Sequence, residues 1–425
     1  MVWIIVFLIV FPGTARSLVF DRREKPKIKE SSYFLYPAVY TVPGFGKGAG
    51  GGLTVADMLG EESEVTLLHL KGDWSFDSVI ITDLPLLTKH ITFSMIYADL
   101  YDGGVAFYER GPDSSSEPVI ELELDRLLTR AAEVSLNLFD QQVELYYGYA
   151  LSFPMVKRVG LFNDSDSAEE EDSEVTEERF YQYLRFLDLQ RIFVVRRGLY
   201  IDDTDDRRDP HVGYRFQFER YGFETEGNWK SYHVDDYNLT VFIPNEDRSG
   251  VLVLNAFYSI AEVTKSANIG EIDESYCTDP ENDLTSEEQE RCLIFVRAIT
   301  RFIEDEGNNA DSTHLGGLQR LRSYPQGRFH DKCSVFFGIE YRRYFLVGNS
   351  PFDYLIEKGI FNGVQLALFY ELGQVAPEND YTLFENMKSN YGLGFRLVFS
   401  KVVVRFDYAQ GSEGAQATAF IGYPF

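Results

Sequence analysis

The chain has 425 residues and a formal net charge of -27, from 67 Asp and Glu against 40 Lys and Arg. That balance excludes a nucleic-acid-binding surface over most of the molecule. A mean hydropathy of -0.21, with no internal apolar run of about 20 residues, argues against a helical membrane protein. The 27 Tyr and 34 Phe, against 5 Met and 3 Trp, favour strands and interfacial aromatic girdles.

Val2 to Phe11 is uninterrupted apolar sequence, followed by Pro12-Gly13 and Ala15-Arg16-Ser17. It is too short to span a bilayer and reads as a secretory signal peptide, residues 1–17, although it lacks Lys or Arg before the apolar core. Residues 18–32 are polar and basic, with Arg22, Arg23, Lys25, Lys27 and Lys29, and read as a short periplasmic lead-in too small to fold alone.

From Tyr33 onward, strand-like runs alternate with Gly, Asp, Asn and Pro clusters. They cover Gly48–Met58, Val65–Leu84, Ile91–Tyr101, Val119–Phe139, Val143–Phe153, Arg191–Asp202, Tyr214–Tyr221, Tyr237–Ile243, Val251–Val263, Leu293–Phe302, Cys333–Leu346 and Ile360–Gln374. Several are long enough to hold two strands.

Between them, Asp164 to Glu178 holds nine carboxylates among Ser and Thr. It reads as a solvated outer loop, with collection of divalent cations as the alternative. Cys277 and Cys292 bracket a second acidic stretch; an oxidising exterior permits them to bridge, leaving Cys333. No metal-ligand spacing is present, so neither a metal nor a cofactor is expected.

The last three strands alternate strictly. Tyr391, Leu393, Phe395, Leu397 and Phe399 share one face, with Gly392, Gly394 and Arg396 on the other. Val402, Val404, Phe406 and Tyr408 repeat the rule against Val403, Arg405 and Asp407. Ala417, Ala419, Ile421, Tyr423 and Phe425 form the third apolar face, so Tyr423 and Phe425 read as a terminal barrel signal. With period two, one face meets lipid and the other a wet lumen. A soluble β-sandwich would also alternate, but the aromatic-rich apolar faces favour an all-β transmembrane antiparallel barrel over 33–425. Bacterial barrels normally take an even strand number, and the runs favour sixteen. Tight turns then face the periplasm and long loops the exterior.

Leu315-Gly316-Gly317 precedes Leu321-Arg322-Ser323-Tyr324-Pro325-Gln326-Gly327-Arg328-Phe329, then Ile339-Glu340-Tyr341-Arg342 and Phe369-Tyr370-Glu371-Leu372-Gly373. With Gly392-Leu393-Gly394-Phe395-Arg396, the closing Phe425 and the earlier Asp205-Asp206-Arg207-Arg208-Asp209-Pro210-His211-Val212-Gly213, this order resembles the bacterial surface antigen barrels. That superfamily includes BamA, TamA and the two-partner-secretion transporters. Ser323 stands where the family has Gly, Glu371 replaces Asp, and the lead-in has no room for the family's periplasmic POTRA modules.

Glu340 and Glu371 each lie opposite the apolar face of their strand, so both point into the lumen. The resemblance implies that the sixth outer loop folds back inside, where Arg322, beside Tyr324, would meet Glu340 and Glu371 as a lock. It implies insertion or translocation of client outer-membrane or secreted proteins from the Gram-negative outer membrane, through a weak seam between first and last strands. A separate periplasmic protein would deliver the clients. A passive or ligand-specific pore and a surface binding or structural barrel are the alternatives.

No enzyme is expected. The histidines, His69, His90, His211, His233, His314 and His330, lie in no H-E-x-x-H or G-x-S-x-G context. Asp235 and Asp236 beside His233 read as a solvated loop. Gly44 to Gly52 lacks the Lys-Ser/Thr of a phosphate cradle and reads as small residues in a first strand beside the seam.

Overall fold

The computed structural model describes residues 32–56, 63–86, 88, 90–139, 142–161, 192–206, 209–225, 228–246, 249–268, 275–278, 285–354, 357–399 and 403–425. The signal peptide, most of the lead-in, the acidic stretch 164–178 and the Arg207-Arg208 pair lie outside them.

Sixteen antiparallel strands close into one barrel. They are β1 Ser32–Val42, β2 Gly46–Ala56, β3 Glu64–Gly72, β4 Ser75–Pro85, β5 Ile91–Phe107, β6 Ile120–Leu138, β7 Val143–Leu161 and β8 Ile192–Thr204. The second half comprises β9 Gly213–Glu224, β10 Ser231–Pro244, β11 Gly250–Lys265, β12 Cys333–Tyr354, β13 Glu357–Ala376, β14 Lys388–Phe399, β15 Val403–Gly411 and β16 Gly414–Ile421. An even number brings the end of β16 back to the end of the barrel where β1 begins. No helix among the described residues is long and apolar enough to cross a membrane; the crossing elements are strands.

The period-two pattern separates two faces. Tyr391 is 61% and Tyr408 54% exposed, whereas Arg396, on the opposite face of β14, is fully buried. Leu366, Leu368 and Tyr370 continue the outward apolar band on β13, as lipid contact requires.

Three sequence expectations change. Leu293–Phe302 is helical, part of α2 (Ser286–Asn308), which follows the single turn α1 (Ser275–Thr278). Its β-branched residues follow Glu287-Glu288-Gln289-Glu290-Arg291, a run of helix formers, and local propensity prevails where no strand pairs. Asp235 and Asp236 are in β10, not a loop. Asp235 accepts both arms of Arg220 at 2.5 Å, and Asp236 accepts the Thr313 hydroxyl, so Asp235 has a partner within the wall and Asp236 one in the connector between β11 and β12. The Gly44–Gly52 run forms the β1–β2 turn and the second strand, not the first. A Cβ at Gly48 or Gly52 would come within 2.5 Å or 2.4 Å of the Tyr40 and Tyr36 rings, so these glycines make room for lumenal tyrosines of β1.

The barrel is not closed evenly. All 11 residues of β1 pair with β2. Towards β16, β1 has one register pair among the described residues, Thr41↔Ala419. Its first residues pair instead with β13, as Tyr33↔Lys358 and Phe34↔Glu357. Between these points the seam is held by packing, with Phe34, Phe420 and Ile421 set against the core that contains Tyr36 and Ala38.

Candidate functional site

The connector from 266 to 332 leaves β11 on the side opposite the start of β1 and is the sixth loop at that end. Cys277 and Cys292 are disulfide-bonded within it, and Cys333 at the head of β12 is a buried free thiol. After α2 the chain descends as a hairpin, with Leu315 and Phe329 exchanging amide bonds at 2.9 and 3.0 Å. Gly316 and Gly317 both have φ of +103, and a Cβ on Gly316 would lie 2.2 Å from the Pro325 carbonyl oxygen. The Gly-Gly lead is therefore required both by backbone hand and by space.

The hairpin delivers Arg322 to the lumen, where it is fully buried. Its Nε donates to Glu371 Oε1 at 2.7 Å, its Nη2 to Glu340 Oε2 at 2.9 Å and its Nη1 to Asp407 Oδ2 at 2.8 Å. The Arg322 backbone amide adds a bond to Glu371 Oε2 at 2.9 Å, and the guanidinium lies 3.5 Å from the Phe369 ring centroid. Arg342 and Arg396 bind Glu340 from either side, and Arg396 also donates to Asp407. One planar cation thus ties the loop to β12, β13 and β15 through all three nitrogens, a geometry a point-like ammonium would not match.

Several motif residues acquire a physical reason here. A Cβ at Gly392 would reach Phe369 Cζ at 2.3 Å, and one at Gly394 would reach an Arg396 nitrogen at 2.3 Å. The two glycines of β14 are space for the ring and the guanidinium beside Arg322. Ser323 in place of Gly is accommodated because the left-handed residue of the turn is Leu321, φ 53, while Gly411 leaves room for the Ser323 hydroxyl. Tyr324 is also fully buried; its hydroxyl donates to the Ser389 carbonyl at 3.2 Å and lies 3.0 Å from Ser412.

One lock member, Asp407, and one buried arginine outside the lock, Arg328, are missed by the sequence reading. Asp407 was placed on the lumenal face of β15 but not among the partners of Arg322; its parity was the available signal. Arg328 is itself buried, donating to Glu413 at 2.8 and 3.0 Å and to Ser114 of the β5–β6 loop. A second charged cluster sits above the lock. Arg110 donates to Asp311 at 2.6 Å and Asp331 at 3.2 Å, Lys230 donates to the Asn309 carbonyl, and His330 lies 3.7 Å from Glu306. These contacts join the β5–β6, β9–β10 and sixth loops.

Tyr423 and Phe425 do not continue the outward face of β16. The strand ends at Ile421, Gly422 turns at φ +92, and the last residues point inward. The Tyr423 hydroxyl donates to Asp209 at 2.6 Å, its ring lies 4.0 Å from the Arg342 guanidinium, and Phe425 packs near Phe336. The alternation of 417–425 breaks because buried hydrogen-bond partners inside outweigh the lipid exposure of two aromatic rings.

No family model matches the sequence, and no curated protein matches it. Solved structures do. BamA from Haemophilus ducreyi lacking POTRA domains 1-3 superposes with a TM-score of 0.50 at 11% identity, covering 97% of this chain and 78% of that one. CdiB from Escherichia coli aligns at a TM-score of 0.47 and 10% identity, over 99% and 74%. CdiB from Acinetobacter baumannii aligns at 0.47 and 10%, over 93% and 60%, so this chain spans less than two thirds of that protein. The chain has the sixteen-stranded barrel fold of BamA.

Proposed function

We propose that this barrel sits in the outer membrane of a Gram-negative envelope and receives an extended segment of a client protein at the edge of β1, assisting its insertion or secretion. The observation that carries the reading is the seam, with one Thr41↔Ala419 pair among the described residues beside a fully paired β1–β2 ladder. A strand edge with unpaired amides and carbonyls is a template for an incoming strand, with main-chain bonds supplying affinity and alternate side chains selectivity. BamA and CdiB share the barrel fold, and the sixth-loop lock would hold one wall rigid while the seam moves. A separate periplasmic protein delivers the client, membrane lipid receives the outward face, and no enzymatic step is assigned. The packed sixth loop disfavours the alternative of a passive pore, which needs an open lumen.

The test is a reversible staple. Thr41→Cys with Ala419→Cys, in a Cys333→Ser background, puts two thiols at directly opposite register positions. Oxidation should deplete a defined set of surface or secreted proteins, and reduction should restore them. Unchanged levels with the staple fully formed would remove the client-handling role.

A further inference from the structure

The last four residues turn inward, away from β1, and the hydroxyl of Tyr423 is held there by Asp209 with Gln365 beside it at 2.8 Å. Asp209 lies in the β8–β9 turn, at the end of the barrel where β1 begins, and is buried. Its carboxylate accepts from the Tyr344 hydroxyl of β12 at 2.5 Å, the Gln365 amide of β13 at 2.8 Å and the Tyr423 hydroxyl at 2.6 Å. The turn that presents it is braced: Asp205 accepts the amides of His211 and Val212 at 2.9 Å, and the His211 ring stacks on Tyr344.

The inward path is prepared at other points. Gly422 donates its amide to Val403 at 2.8 Å while turning at positive φ. Arg342 covers the Tyr423 ring and donates to the Phe425 carbonyl at 3.3 Å. Gly338 lacks a side chain where a Cβ would stand 3.1 Å from the Phe425 ring.

A second arrangement is written into the register. Antiparallel pairing from Thr41↔Ala419 would continue, if the tail straightened, as Val39 opposite Ile421, Pro37 opposite Tyr423 and Leu35 opposite Phe425. That zipped state would cover the β1 edge. Pro37 has no amide hydrogen to contribute to a ladder.

We propose that Asp209 is the latch of a two-position tail: with Tyr423 bound to Asp209 the tail leaves Leu35 to Val39 of β1 uncovered, and with the bond broken it zips onto that stretch and covers it. The inference rests on the client reading in assigning the uncovered stretch a use, but the latch is defined by geometry alone. Asp209 acts as a positioning residue through Tyr423.

Two disulfide reporters read the two positions in the full chain in membranes, in a Cys333→Ser background. Gly338→Cys with Phe425→Cys closes in the latched state, and Leu35→Cys with Phe425→Cys closes in the zipped state. Asp209→Ala should raise the zipped-to-latched yield ratio roughly tenfold, the change expected on losing one hydrogen bond to a charged acceptor. Tyr423→Phe, which keeps the ring beneath Arg342, should move it in the same direction if Asp209→Ala fails to fold. A ratio unchanged in folded Tyr423→Phe overturns the latch. A shifted ratio with unchanged client levels keeps the latch and removes the client role; a fixed ratio with a seam staple that blocks clients does the reverse.

Discussion

The β12–β13 wall and the β1–β16 seam belong to the same cylinder and are built by opposite rules. Along the wall, register runs from Cys333↔Ala376 to Tyr354↔Glu357, and its lumenal side carries Glu340 and Glu371 clasping Arg322. At the seam, one pair and a patch of apolar packing close the gap while the tail turns inward. A barrel abolishes its edges by full pairing; here most of the circumference does so and one joint is left underpaired. The polar lock stabilises the side that must not move, and its absence from the seam leaves opening inexpensive.

That contrast can be broken at its strongest point. Arg322→Ala leaves Glu371, Glu340 and Asp407 short of a buried partner, a loss on the order of 3–5 kcal/mol for a broken buried pair. The heat-resistant folded band on a gel should disappear at a lower temperature, and Arg322→Lys should restore only part of it. A smaller loss is expected from Arg328→Ala, because Glu413 retains contact with solvent. Equal losses would mean that the network around Arg322 is not a specific lock.

The second test sharpens the comparison without a mutation. Amide exchange across Leu35–Tyr40 should report local opening at least about 2 kcal/mol below that of Ile339–Tyr341, since sparsely paired segments open locally while ladder cores open with the whole fold. Equal protection in the two segments would show that apolar packing closes the seam as firmly as a ladder.

The smallest effect concerns the loop cluster above the lock. Burial pushes the His314 pKa down to about 3, with His330 against it adding to the shift. Burial would raise Asp311, but Arg110 and Lys230 outweigh it and hold the carboxyl well below its usual range. An undocked loop protonates His314 near its ordinary value of 6.5, whereas the docked one resists until about pH 3. Docking is therefore fully stable above about pH 6.5 and weakens as pH falls towards 3, by about 1 kcal/mol near pH 5 after allowance for partial exposure. Asp311 acts in the same direction at lower pH. Protease nicking of the sixth loop should rise between pH 7 and 5, and His314→Asn should flatten that rise.

Arg322, Tyr324, Glu340 and Glu371 were legible because each carries a local signature: strand parity assigns a side chain to lumen or lipid, and the motif order supplies the loop. Asp407 had the same parity, but nothing local says which lumenal acid an arginine from a distant loop will reach. Arg328 was harder still, since its partners Ser114 and Glu413 lie far away in sequence. Leu293–Phe302 misled because a run of β-branched and aromatic residues reads as a strand until the preceding Glu-rich segment is weighed with it. Tyr423 was read from a parity that Gly422 interrupts.

By itself the sequence determined the barrel, its outward aromatic band and the inward side of Glu340, Glu371, Arg396, Arg405 and Asp407, because alternation in a strand is set by backbone geometry and needs no knowledge of neighbours. Only the tertiary structure decided which inward groups meet, that the glycines of β2 and β14 are vacancies for particular rings and a guanidinium, and that β1 is left underpaired. Those outcomes depend on closure: when sixteen strands are bent into a ring, residues hundreds of positions apart are forced into one low-dielectric lumen. There the cost of an unpaired charge or hydroxyl selects partners that no local pattern encodes.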